Sequence, residues 1–188
     1  SATPTSISSS GNVYTLGIGI SGTPTGAETL TVNPVDNGIY DALGNESITN
    51  QSNNSANLMD KAPSTITGVS IASDNSTIAV TMSEAVYNTN GGNGALEASD
   101  FTFTISGGAA SLSSATPTSI SSSGNVYTLG IGISGTPTGA ETLTVNPVDN
   151  GIYDALGNES ITNQSNNSAN LKDKAPPTIT GVSLASDN

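Results

Sequence analysis

Nearly all the chemistry this chain can offer is carried by oxygen. It has fifteen Asp or Glu against three Lys or Arg, and neither His nor Cys. Serine triads, cysteine nucleophiles and zinc centres normally draw on the two missing residue types, which leaves hard-cation binding and carboxylate acid–base work. Oxygen ligands concentrate in Asn33-Pro34-Val35-Asp36-Asn37-Gly38-Ile39-Tyr40-Asp41-Ala42-Leu43-Gly44-Asn45-Glu46, a run that recurs at 146–159. Calcium takes about six to eight such oxygens. Asp36, Asp41, Asn45 and Asp60 are therefore the candidate metal ligands, with Asp149, Asp154, Asn158 and Asp173 in the copy, and calcium is the one cofactor they suit. EF-hand spacing is absent. Asp and Asn also favour turns because their side chains bond their own backbone, so plain turn chemistry is the competing reading.

Other motifs weigh less. Glu84, Glu97 and Asp100 are the acids nearest one another in sequence in the strand-rich half, but two carboxylates make a glycosidase only across a cleft, and nothing in the pattern predicts one; solvated surface is the expectation. Gly17-Ile18-Gly19-Ile20-Ser21-Gly22, repeated at 130–135, matches G-x-G-x-x-G, yet Thr23-Pro24-Thr25-Gly26 follows where a phosphate-binding helix must begin. Those glycines read instead as close sheet packing or a bulge. Gly91-Gly92-Asn93-Gly94 occurs once, without the nonapeptide period of a calcium β-roll, and reads as a flexible, exposed loop. Asn45, Asn50, Asn53 and Asn75 head N-x-[ST] triplets, which matter only in a host that glycosylates asparagine.

The elements that must position these residues follow from a repeat. SATPTSISSSGNVYTLGIGI starts at Ser1 and again at Ser114, a period of 113 residues, and the copies run in register to Asn75 and Asn188. Three aligned positions differ: Met59 against Lys172, Ser64 against Pro177, and Ile71 against Leu184. The period exceeds the ~20–50 residues of solenoid repeats and is close to the ~100 of a β-sandwich domain. Charge and proline interrupt the pattern at Asp60-Lys61-Ala62-Pro63 and at Asp173-Lys174-Ala175-Pro176-Pro177. The reading is a complete module at 63–175, the C-terminal part of a preceding module at 1–62, and the first strand of the next at 176–188.

Within the module, residues 77–82 and 101–105 alternate with period two, which places Ile78, Val80, Met82, Phe101, Phe103 and Ile105 toward a core. Residues 125–133 carry Tyr127, Leu129, Ile131 and Ile133 on one face, and 141–145 carry Leu143 and Val145. Weaker strands are predicted at 66–72, 109–112, 118–120 and 168–171. Helix formers are scarce and Gly, Asn, Asp and Pro turns separate the runs. Seven or eight strands suit an antiparallel two-sheet β-sandwich.

Read in order, Ser76-Thr77-Ile78-Ala79-Val80-Thr81-Met82-Ser83-Glu84-Ala85-Val86, Asp100-Phe101-Thr102 and Tyr153-Asp154-Ala155-Leu156-Gly157-Asn158 resemble the bacterial immunoglobulin-like repeats of large secreted and surface proteins. The resemblance spans 63–175 and departs at Met82, where Phe is usual, and in the long 87–99 loop. It implies an Ig-like sandwich that spaces, stiffens or presents something at a cell surface, with no shared catalytic site.

The net charge of -12 disfavours nucleic acid and anionic lipid as partners, and no run of about twenty apolar residues offers a membrane span. Any export signal or anchor is expected outside these residues. The expected function is a non-catalytic tandem repeat of an extracellular stalk, adhesin or fibre whose partners are other copies of the repeat. The alternative is a multivalent module that holds surface glycans or calcium through the 87–99 loop or the 36–46 region.

Overall fold

The computed structural model describes residues 3–186. The chain divides into two compact units, Ser1–Ala62 and Pro63–Asn188. The described residues are all-β except for one 3-10 turn at Ala98–Asp100. In the first unit, β1 (Ser6–Ser10) pairs antiparallel with β2 (Val13–Gly17), and β3 (Thr29–Thr31) with β4 (Ser55–Asn57).

Among the described residues the second unit holds eleven strands: β5 (Ile66–Ile71), β6 (Thr77–Met82), β7 (Val86–Tyr87), β8 (Phe101–Ser106), β9 (Ser111–Leu112), β10 (Ile120–Ser123), β11 (Val126–Gly130), β12 (Ile133–Ser134), β13 (Thr142–Pro147), β14 (Tyr153–Asp154) and β15 (Ser168–Asn170). One antiparallel sheet runs β10-β11-β6-β5 and another β15-β13-β8, with small ladders β12-β9 and β14-β7. The two larger sheets contribute to one apolar cluster, an arrangement consistent with a β-sandwich.

Alternation in sequence becomes alternation in burial. Along β6, Ile78, Val80 and Met82 are buried and the residues between them half-buried; β13 repeats the pattern with Leu143, Val145 and Pro147. Register then stacks apolar on apolar. Leu129 faces Ile78 and Tyr127 faces Val80 across β11 and β6, while Val145 faces Phe103 across β13 and β8. Ile105 and Ile133, expected in the core, are only half-buried at its margin.

Three strands differ from the sequence reading. The predicted 125–133 strand breaks after Gly130, because the chain turns to pair Ile133 with Leu112. Gly130 permits the close approach at the break: a Cβ there would lie 2.4 Å from Thr118 Oγ1 and 2.5 Å from Ser119 Oγ. The 118–120 strand shifts to Ile120–Ser123, where register with Val126–Leu129 places it. Residues 178–185 form no strand, and Ile179, Val182 and Leu184 are exposed, for they have no equivalent of β6 to pair with among the described residues.

Local structure in the first unit matches its copy 113 residues on. Thr29 Oγ1 donates to Asn57 Oδ1 at 3.0 Å, as Thr142 does to Asn170. Asn54 Nδ2 donates to the Val32 carbonyl at 2.7 Å, as Asn167 does to Val145. Burial does not match. Tyr14, Ile18, Val32 and Ile39 are 64, 52, 44 and 54% exposed, whereas Tyr127, Ile131, Val145 and Ile152 are 7, 8, 0 and 0% exposed. At ~1.5–3 kcal/mol for each large apolar side chain kept from water, the burial missing from this face is comparable with the roughly 5–15 kcal/mol that holds a whole domain together.

Candidate functional site

The Asp-Asn run folds as a turn closed by its own hydrogen bonds. Asp154 is buried, and its Oδ1 accepts from the backbone N–H groups of Leu156 and Asn158, each at 2.8 Å, while Oδ2 accepts from Asn158 Nδ2 at 2.7 Å. The Asp154 and Asn158 backbones also bond, with Asp154 N 3.0 Å from the Asn158 carbonyl. Asp41 and Asn45 repeat these bonds in the first unit at 2.8–2.9 Å. Both carboxylate oxygens thus receive N–H groups, and each asparagine presents its nitrogen to the aspartate.

The remaining candidate ligands lie in separate turns. Asp149 Oδ2 accepts from Asn150 Nδ2 at 2.9 Å and Asp36 Oδ2 from Asn37 Nδ2 at 3.0 Å. Asp60 and Asp173 each accept from the backbone two residues ahead, Ala62 and Ala175, at 2.8 Å. The bonds therefore tie Asp154 to Asn158 and Asp41 to Asn45, while Asp36 and Asp149 bond the asparagine that follows each of them and Asp173 the Ala175 N–H.

The Gly-rich loop, read from sequence as flexible and exposed, is exposed at Gly91, Asn93 and Gly94 but is closed by local bonds. Thr89 and Asn93 form an antiparallel bridge, reinforced by a bond from Thr89 Oγ1 to the Asn93 carbonyl, and buried Leu96 fixes the returning arm in the core. The loop and the Asp-Asn turn are neighbours because β7 pairs with β14, Val86 opposite Asp154. Gly157, at φ 84°, packs so tightly on the Asn90 side chain that a Cβ would sit 2.1 Å from its Oδ1. Sequence reasoning missed this juxtaposition, since no local signal links residues so far apart. Beside the loop lies an open groove of about 580 Å³ lined by Tyr87, Leu96, Ile120 and Tyr127.

Two of the acids weighed for glycoside cleavage, Glu97 and Asp100, close a local turn. Asp100 Oδ2 accepts from the Glu97 N–H at 2.7 Å and closes the 3-10 turn. Burial pushes the Asp100 carboxyl above its ordinary range, opposed by that bond and aided by the nearby Glu97 charge.

Sequence analysis did not single out Glu141, yet its carboxylate accepts from three backbone N–H groups. Buried at the start of β13, its Oε1 accepts from Ala109 N at 2.8 Å and Ala110 N at 3.0 Å, and Oε2 accepts from Thr138 N at 2.9 Å. The Ala110 N–H contributes most to holding its pKa down at about 2, against the opposing effect of burial. The only sequence signal was the Thr-x-x-Glu spacing that lets Glu141 reach back to Thr138. Glu28 keeps the bonds from Thr25 at 2.9–3.2 Å, and its pKa too is lowered, chiefly by the Thr25 N–H. It has no counterpart of the Ala109 and Ala110 bonds among the described residues.

An acid dependence follows. With its pKa depressed from 4.5 to about 2 in the folded unit, Glu141 takes up a proton more readily in the unfolded chain. Its contribution is present above pH about 4.5 and lost as pH falls toward about 2. Glu141→Gln is expected to lower Tm at neutral pH by roughly 5–10 °C and to flatten the decline in acid, so the two Tm curves converge. Parallel curves down to the acid limit would show that Glu141 does not carry the effect.

No family profile, curated protein or solved structure matches this chain.

Proposed function

We propose that the chain is a non-catalytic structural segment of an extracellular stalk or fibre, built from tandem Ig-like sandwich modules that add reach. Supporting this is the near-identical recurrence of a long stretch of the folding pattern. Residues 1–75 and 114–188 differ at three positions, and side-chain bonds within the turns and between paired strands recur with them. Serial copies of an entire domain increase length and multiply contact points, neither of which a catalytic centre requires. On this reading residues 1–62 are the C-terminal part of one module, 63–175 a complete one, and 176–188 the opening of a third. The Asp-Asn turns then serve as folding devices that fix each module's loops.

The test is to express chains of two, four and six modules and measure their maximum dimension by small-angle scattering. A constant increment for each added 113 residues is expected. Dimensions that stay compact as modules are added would overturn the stalk reading. Saturable, calcium-dependent capture on a glycan array would overturn it in favour of a multivalent binding module.

A further inference from the structure

The bare face of the first unit comes with a template for what covers it. In the second unit the equivalent face is closed by β5, β6, β7, β8 and β9, all within residues 63–113. On the receiving side, residues 1–62 and 114–175 differ only at Met59, where the copy has Lys172. The unused pairing capacity also corresponds. Among the described residues β2 pairs with β1 alone and β3 with β4 alone, whereas their copies β11 and β13 each hold a second partner, β6 and β8.

The match extends to single polar groups. Glu28 is the equivalent of Glu141, which receives the N–H groups of Ala109 and Ala110. Gln51 is the equivalent of Gln164, whose Oε1 accepts from Ile66 N at 2.9 Å. The Met59 backbone is the equivalent of Lys172, which exchanges two bonds with the Asn75 side chain at 2.7 and 2.8 Å. An unrelated apolar partner would cover the face without supplying these donors and acceptors.

We propose that the Ser1–Ala62 unit is a docking site for a 63–113 segment from a second copy of the module. The segment adds one strand to β2 in the β6 register, Ile78 to Leu16 and Val80 to Tyr14, and one to β3 in the β8 register, Ile105 to Leu30 and Phe103 to Val32. This deepens the repeat reading and rests on it for the identity of the partner. The donor must be additional. The chain's own 63–113 segment already pairs with 114–175, and a second whole chain that lent its segment would bare its own copy of the face.

The absence of cysteine makes the register directly testable. Across β11 and β6, Thr128 faces Ala79, so the proposal places Thr15 opposite the donor's Ala79. Paired Cα atoms at ~4.5–5.5 Å are within disulfide reach. The full 188-residue chain carrying Thr15→Cys is mixed with a 63–113 peptide carrying Ala79→Cys in a glutathione buffer. The mixed disulfide is expected to outweigh those from Thr77→Cys or Thr81→Cys peptides by about tenfold. A second arm joins an extra 63–113 copy ahead of Ser1 through the junction that links Ser113 to Ser114. There, β2 amides are expected to exchange with deuterium as slowly as those of β11. Equal disulfide yields from all three peptides, together with unprotected β2 amides in the extended chain, would overturn the proposal. Docking that succeeds while multi-module chains fail to lengthen would instead overturn the stalk reading alone.

Discussion

Phe103→Ala should remove most of the stability of the Pro63–Asn188 unit. The ring is 1% exposed, stands opposite Val145 in the β8–β13 ladder and sits in the apolar cluster fed by both larger sheets. Truncating a buried Phe costs about 3–5 kcal/mol, because the transfer energy of the ring is lost and the cavity only partly collapses. Against a net domain stability of roughly 5–15 kcal/mol, little need remain. Urea titration followed by hydrogen exchange of the β11 and β13 amides would read this out as a large fall in midpoint with an unchanged slope. A loss below about 1 kcal/mol would mean that Phe103 lies outside the stabilising core. Phe103→Leu, which keeps most of the apolar volume, should cost distinctly less.

The second large effect is a contrast between two identical residues. Ile152→Ala is expected to cost about 2–5 kcal/mol, since Ile152 is 0% exposed within the core. Ile39→Ala, in the same local sequence, is expected to cost under about 1 kcal/mol, since Ile39 is 54% exposed. Propensity, turn chemistry and neighbours are the same at both sites, so the difference isolates what the covering strands contribute. Thermal denaturation of the two variants side by side measures it. Equal losses would show that the first unit is covered in solution by something the sequence-equivalent face does not reveal.

How far these features were legible in the sequence depended on whether their cause was local. Ile78, Val80 and Met82 announce their face by alternation, and β6 buries all three. The same rule placed Ile131 in the core, where it is buried, but extended one strand through Ile133, where the strand is broken. Alternation continues straight across Gly130, but the chain leaves its ladder there to meet Leu112. β10 was displaced because Ser121, Ser122 and Ser123 carry no apolar signal, and only pairing with β11 makes them a strand. At the candidate site, turn chemistry was visible in the Asp-Asn composition. The bonds of Asp154 to Leu156 and Asn158 are part of that local chemistry, whereas the packing of Gly157 on Asn90 and the reach of Glu141 to Ala109 depend on contacts between distant residues. No single sequence encodes such contacts in its local pattern.

The route of the chain through the Pro63–Asn188 unit has a mechanical consequence. It enters at Ser64 and Ile66, tied to Ser160 and Gln164, and leaves at Leu171 and Lys172, tied to Glu141 and Asn75. Asn75 lies just past the far end of β5, a six-residue strand and so roughly 20 Å long. Entry and exit are therefore at opposite poles. Tension along a string of such modules would pull β5 and β15 lengthwise past β6 and β13, and every rung of each ladder would bear load at once. A geometry with both ends at one pole would peel the strands apart rung by rung. Under slow pulling, each module should therefore act as a stiff link up to an abrupt yield point.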